Sequence, residues 1–122
     1  MVMTNGFTEI KDIESLTQFL AAPTGDPAII FKHSNTCGIS ARAYTQMTGF
    51  GRSVGIVIVQ NARAVSDEIE RRSGVPHETP QLLIFRNGEV IWTASHGQIR
   101  GEAVAAVLEE IGKGTMVPEA RP

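Results

Sequence analysis

Residues 81–94 read QLLIFRNGEVIWTA. Two apolar runs, 81–85 and 89–94, flank Asn87–Gly88, a pair suited to a two-residue hairpin because both positions tolerate positive φ. They predict two antiparallel strands late in the chain. Upstream the pattern differs. AIIF (28–31) and VGIVIV (54–59) are continuous apolar runs, as expected of central strands covered on both faces. Helical spacing surrounds them. Ile10, Ile13, Leu16 and Leu20 predict a first helix over 8–22, ended by the prolines and glycine of APTGDP (22–27). A second helix starts near Cys37, with Thr36 or Asn35 as N-cap, and ends at Gly49 or Gly51. A third covers 61–74, with Ala62, Val65 and Ile69 inward and Gly74 as its stop. A last begins near Ile99 and turns Ile99, Ala103, Val107, Leu108 and Ile111 to the core.

The order is thus helix, strand, helix, strand, helix, hairpin, helix. Strand–helix–strand crossovers imply a parallel pair, and the hairpin adds an antiparallel one. The expectation is an α/β, thioredoxin-like fold: a four-stranded mixed sheet flanked by four helices. One domain over residues 1–112 and a loose C-terminal tail over 113–122 complete it.

The chain has 122 residues, 42% hydrophobic and 20% charged. A domain of that length buries roughly two-thirds of its unfolded surface and needs neither disulfide nor metal to hold a core. The formal charge of −2 leaves no electrostatic footprint for nucleic acid or an anionic membrane. No apolar run approaches the ~20 residues of a membrane span, and no signal peptide is visible at the N-terminus. A cytoplasmic protein in a reducing compartment is the default reading. A single cysteine excludes an internal disulfide and any multi-cysteine zinc site within one chain.

That cysteine, Cys37, falls where the first apolar run gives way to a polar turn and a helix start, and Ser40 stands where a second redox cysteine would. Helix N-termini carry unpartnered N–H groups and the positive end of the dipole. A thiolate there is stabilised, with pKa values down to ~3.5–7.5 against ~8.5 for a free thiol. The Ser40 hydroxyl, one turn on, faces the same side and is a candidate donor to the sulfur. The competing reading is a lone cysteine acting as a small buried hydrophobe. Pro80 points to the same place. Only about 5–6% of X–Pro bonds are cis, so the residues alone favour trans. The thioredoxin layout favours cis, because there the loop before the hairpin faces the nucleophile and presents the backbone preceding the proline.

FKHSNTCGIS (31–40) and ETPQLLIFRNGEVIWTASHGQI (78–99) together resemble the YtxJ-like monothiol bacilliredoxin family, a thioredoxin-fold group similar to monothiol glutaredoxins. The resemblance covers roughly residues 8–111. It implies a monothiol thiol–disulfide oxidoreductase that removes bacillithiol from protein mixed disulfides, with Cys37 as nucleophile and Thr79 and Pro80 as the substrate-facing loop. Thr36, Gly38, Ser40 and His33 are the further substrate-side candidates. The implied partners are protein mixed disulfides and a low-molecular-weight thiol, with no cofactor or metal. One departure stands out: the family typically has proline directly after the cysteine, and this chain has Gly38.

Two other functions remain open on the residues: an iron–sulfur scaffold using Cys37 from two chains, and a non-catalytic thioredoxin-fold binding protein. His33 reads as a cation tuning the thiolate, as a contact for the acidic bacillithiol moiety, or as a capping histidine. His96 belongs near the site or at the opposite edge, and His77 in an exposed loop. Lys32 reads as a positive charge beside the site or a snorkelling strand-end lysine. Trp92 reads as a core or sheet-face residue, and Arg71 and Arg72 as complements to a helix dipole.

Overall fold

The structure is a computed structural model and describes residues 3–4, 7–21, 26–36, 38–48 and 53–112. The strands are β1 (Met3–Thr4), β2 (Phe7–Glu9), β3 (Pro27–His33), β4 (Val54–Ile58), β5 (Gln81–Arg86) and β6 (Glu89–Ser95). The helices are α1 (Ile13–Leu20), α2 (Gly38–Met47), α3 (Arg63–Ser73) and α4 (Gly101–Gly112), with a 3-10 turn at His96–Gln98. The sheet order is β1-β2-β4-β3-β5-β6. β4 runs parallel to β2 and β3, whereas β5 and β6 are antiparallel. This is the thioredoxin-like α/β arrangement with four helices, but the mixed sheet is wider than the four strands expected. It has five strands of three residues or more, and the two-residue β1 pairs at its edge.

The extra strand comes from the N-terminal part of the predicted first helix. Phe7, Thr8 and Glu9 pair in parallel with Val54, Gly55 and Ile56, and the Ile10 N–H extends the ladder to the Ile56 carbonyl at 2.9 Å. The helix itself waits for Asp12, whose side chain accepts the Ser15 N–H at 2.8 Å while Ser15 Oγ accepts the Asp12 N–H, a reciprocal cap.

The hairpin follows the reading from its turn. Asn87 and Gly88 both take positive φ, 54° and 82°, as a two-residue turn of this kind requires. Gly74 ends α3 in the left-handed region at φ 72°. Alternation along β3 feeds two cores. Ile29 and Phe31 pack with Met47 of α2 and with Val104, Leu108 and Ile111 of α4. Ala28 and Ile30 pack with Leu16 of α1 and with Val65 and Ile69 of α3. β3 lies between β4 and β5 and is covered on both faces, which is why its run is unbroken. The predicted helix stop at Gly49 or Gly51 and the 113–122 tail lie outside the described residues, as does Cys37.

Candidate active site

β3 ends at His33, and the chain turns through Ser34, Asn35 and Thr36 before α2 begins at Gly38. Gln60, just beyond β4, holds this turn. Its Nε2 donates to Ser34 Oγ at 2.8 Å and to Thr36 Oγ1 at 3.3 Å, and its Oε1 accepts the Asn35 N–H at 3.2 Å. Thr36 N–H adds a bond to Ser34 Oγ at 3.4 Å. The turn between β3 and α2 is therefore fixed from the neighbouring parallel strand. Gln60 was not singled out in the sequence; its only signal is a polar residue directly after the VGIVIV run.

Thr36 is exposed and Gly38 is the first residue of α2, with open space where a Cβ would be. Ser40 is different. It is fully buried, its Oγ accepts the Ser34 N–H at 3.0 Å, and it lies 2.9 Å from His33 Nδ1. The hydroxyl expected to face the sulfur is thus already engaged by two groups at the end of β3. His33 is itself buried between Phe31 and Tyr44, with ring centroids 5.5 and 5.1 Å away. Burial holds its pKa below the usual value, and hydrogen bonding to Ser40 offsets part of that. Burial thus favours the neutral ring, which sits packed and hydrogen-bonded at the end of β3.

The second element of the site is the loop before β5. The Thr79–Pro80 bond is cis. Lys32 pairs with Gln81 across β3 and β5, so the register sets the buried Pro80 beside the His33 end of β3. The Pro80 carbonyl accepts the His96 N–H at 3.0 Å, and Gln81 Nε2 donates to the Pro76 carbonyl at 2.9 Å. The loop is held on both sides of its proline. Among the described residues, nothing hydrogen-bonds to the Thr79 backbone.

The other candidates sort as follows. His96 leads out of β6 on the Pro80 side, with Nδ1 3.4 Å from Glu78 Oε1. The His77 ring meets Ser66 Oγ at 3.1 Å and the His77 backbone N–H donates to Glu70 Oε2 at 2.9 Å, tying an exposed loop to α3. Trp92 is half-buried on the sheet against the α2–α4 core. Arg71 and Arg72 both pair with Glu68, and Arg72 Nη2 donates to Thr17 Oγ1 at 3.0 Å, joining α3 to α1. Lys32 corrects the sequence reading. It neither snorkels nor faces the site but is fully buried on the α1–α3 side, because β3 is covered on both faces. Its Nζ and the Oε1 of Gln81, opposite it in the ladder, have no hydrogen-bond partner among the described residues.

Comparison with known proteins agrees with this arrangement. The family model described as monothiol bacilliredoxin BrxC matches residues 8–104. A solved structure described as a proposed oxidoreductase with a thioredoxin fold is 34% identical, covers 82% of this chain and 91% of its own, and superposes with a TM-score of 0.76. Thioredoxin from Trypanosoma brucei brucei shares the fold at 12% identity and TM-score 0.68, covering 88% of this chain and 91% of its own. Thioredoxin from Malassezia sympodialis does so at 17% and 0.65, covering 90% and 94%. The chain belongs to the monothiol bacilliredoxin family and is a thioredoxin-fold thiol oxidoreductase.

Proposed function

We propose that the protein removes bacillithiol, or another low-molecular-weight thiol, from protein mixed disulfides, with Cys37 as its single nucleophile. One observation carries this reading: α2 begins at Gly38, the residue after the only cysteine in the chain. A side chain just ahead of a helix accepts hydrogen bonds from the second and third helical N–H groups, here those of Ile39 and Ser40. The same donors and the helix dipole favour a thiolate.

The chemistry is thiol–disulfide exchange. The Cys37 thiolate attacks the small thiol's sulfur in the client's mixed disulfide, the client leaves as a thiolate, and a Cys37–small-thiol disulfide forms. A second molecule of the small thiol, as its thiolate, then attacks the small thiol's sulfur in that disulfide. The symmetric disulfide leaves and the Cys37 thiolate is restored. Ser40 cannot resolve the intermediate, so the small thiol is a co-substrate and no resident cofactor is required. The loop before β5 has a second role. The uncommitted Thr79 backbone pairs with the extended client chain, while Pro80, fixed through His96, holds that backbone in place. Thr36 and Gly38 flank Cys37 in the chain; Ser40 and His33 support the turn from inside. A reducing, cytoplasmic setting suits this cycle, because it keeps Cys37 free.

The test is to incubate the protein with a bacillithiolated client and follow intact masses. A bacillithiol adduct on this chain should appear as the client's adduct disappears, and Cys37→Ser should abolish both. No transfer under conditions that keep Cys37 reduced would refute the assignment.

A further inference from the structure

Residues 75–80 connect α3 to β5 without regular secondary structure. Among the described residues, the one bond between backbone groups that reaches them runs from the His96 N–H to the Pro80 carbonyl. Side chains hold the rest. Ser73 Oγ accepts the Val75 N–H at 3.0 Å, and Gln81 Nε2 donates to the Pro76 carbonyl at 2.9 Å. Two contacts meet at His77: its backbone N–H on Glu70 Oε2 at 2.9 Å, and its ring Nδ1 at 3.1 Å from Ser66 Oγ. The exchange chemistry uses neither, and His77 stands two residues before Thr79.

The anchor is a packed helix. Ser66 and Glu70 stand one turn apart on α3, so both ties leave the same face. Ser66 is buried, and Val65 and Ile69 beside it lie in the core with Ile30, Leu83 and Phe85. Arg72 fixes α3 to Thr17 of α1. The ring contact survives either tautomer: a bare Nδ1 accepts the Ser66 hydroxyl proton, and an Nδ1–H donates to Ser66 Oγ. The bond to Glu70 has a carboxylate as acceptor, which makes it the stronger kind. Thr79 therefore lies between two fixed points, the His77 N–H and the Pro80 carbonyl, with Glu78 as its neighbour inside them. Glu78 itself meets the His96 ring at 3.4 Å with both side chains about half exposed, too weak a tie to replace His77.

We infer that His77 is a positioning residue for client binding: its ties to Ser66 and Glu70 of α3 hold the loop so that the Thr79 backbone stands ready to pair with an extended client. The inference rests on the exchange reading above and deepens it by naming what sets client affinity. Its basis is entropic. A backbone that pairs with a client must stop moving when the client binds, and each residue ordered at that moment lowers affinity roughly 5- to 30-fold. A loop tied at residue 77 has lost that freedom already, on folding. The tie acts on the client's backbone and not on the reacting sulfur, so it lowers KM and leaves kcat alone. A small disulfide with no backbone gains nothing from it.

The experiment uses the full chain and two substrates that leave the same adduct on it: a peptide whose cysteine carries 2-mercaptoethanol, and bis(2-hydroxyethyl) disulfide, which has no backbone. Free 2-mercaptoethanol completes both cycles. His77→Ala should raise the KM for the peptide about fivefold or more. Its kcat on the peptide, and both constants for the small disulfide, should stay within about twofold. Ser66→Ala should give part of the same rise and add little to His77→Ala, because the two remove one contact. His77→Asn, whose amide can meet Ser66 Oγ as Nδ1 does, should recover part of the loss. An unchanged peptide KM, equal effects on the two substrates, or additive effects of the two alanines overturn the inference and leave the exchange chemistry standing. The tie is also read without chemistry, by backbone NMR relaxation of wild type and His77→Ala. Order parameters that fall at Glu78 and Thr79 but not along β5 support the tie even if wild type transfers no adduct, the result that refutes exchange. Unchanged order parameters at Glu78 and Thr79 overturn it.

Discussion

His33 Nδ1 and Ser40 Oγ lie 2.9 Å apart, so the last residue of β3 is hydrogen-bonded to the third residue of α2. The Ser34 N–H shares that oxygen at 3.0 Å. Ser40 therefore looks inward, toward the strand it closes, and fixes the angle at which α2 leaves the sheet.

Ser40→Ala should leave the buried Ser34 N–H and the His33 ring without their shared partner, since Ser40 itself is fully buried. An orphaned buried polar group costs about 1–3 kcal/mol. Urea unfolding at pH 7 should show a loss in that range with an unchanged slope. A neutral effect would mean that another group takes over the bond.

His33 and His77 are both held below the ordinary histidine value chiefly by burial, and Lys32 adds to the shift at His77. Their folded pKa values lie below their unfolded ones. As pH falls below about 6.5, the unfolded chain takes up protons that the folded chain does not, so stability must fall. Urea unfolding between pH 7.5 and 5 should show this decline, and His33→Gln should make it shallower. Direct NMR titration of either ring at or above 6.5 would contradict the structure.

The hairpin and the end of α3 were legible because single residues dictated them. Asn87–Gly88 admits little but a tight reversal, and Gly74 readily takes the φ that stops α3. β2 was hidden for a physical reason. Three residues are too few to show alternation, and Ile10, which extends the sheet, stands three residues before Ile13 and so mimics a helical stripe. The reciprocal cap of Asp12 and Ser15 was the available signal that the helix starts later. Within the site, the cis Thr79–Pro80 bond came from the fold expectation rather than the residue. Gln60 and Ser34 escaped notice because their roles depend on β3 and β4 lying side by side, which no local pattern records.

Lys32 carries a second electrostatic consequence. Burial lowers its pKa from 10.5 to about 8, against the partial pull of Glu70 and Asp67. Between about pH 8 and 10.5 the unfolded chain binds a proton that the folded chain has released, so stability rises with pH across that window. At pH 7 the ammonium is charged and buried without a hydrogen-bond partner among the described residues. Lys32→Met should therefore stabilise the protein at pH 7 by about 1–3 kcal/mol. That gain should shrink when the comparison is repeated at pH 10. A destabilised variant at pH 7, or a gain that ignores pH, would show that the ammonium is satisfied in solution.

Gly38 is where this chain departs from its family's pattern, and the geometry says what restoring proline would do. Gly38 is the first residue of α2, where the N–H is among those a helix leaves unbonded, and a side chain there meets nothing within 4 Å. Proline fits the first helical position and restricts the unfolded chain. Gly38→Pro should thus stabilise by about 0.4–1 kcal/mol, seen as a modest rise in melting temperature. The N–H groups that a side chain ahead of the helix can accept from belong to Ile39 and Ser40, and proline at 38 leaves both in place. Alkylation of Cys37 followed against pH should therefore show a midpoint no higher in Gly38→Pro than in wild type. A higher midpoint would mean that the Gly38 N–H itself serves the thiolate, and that glycine here supports reactivity.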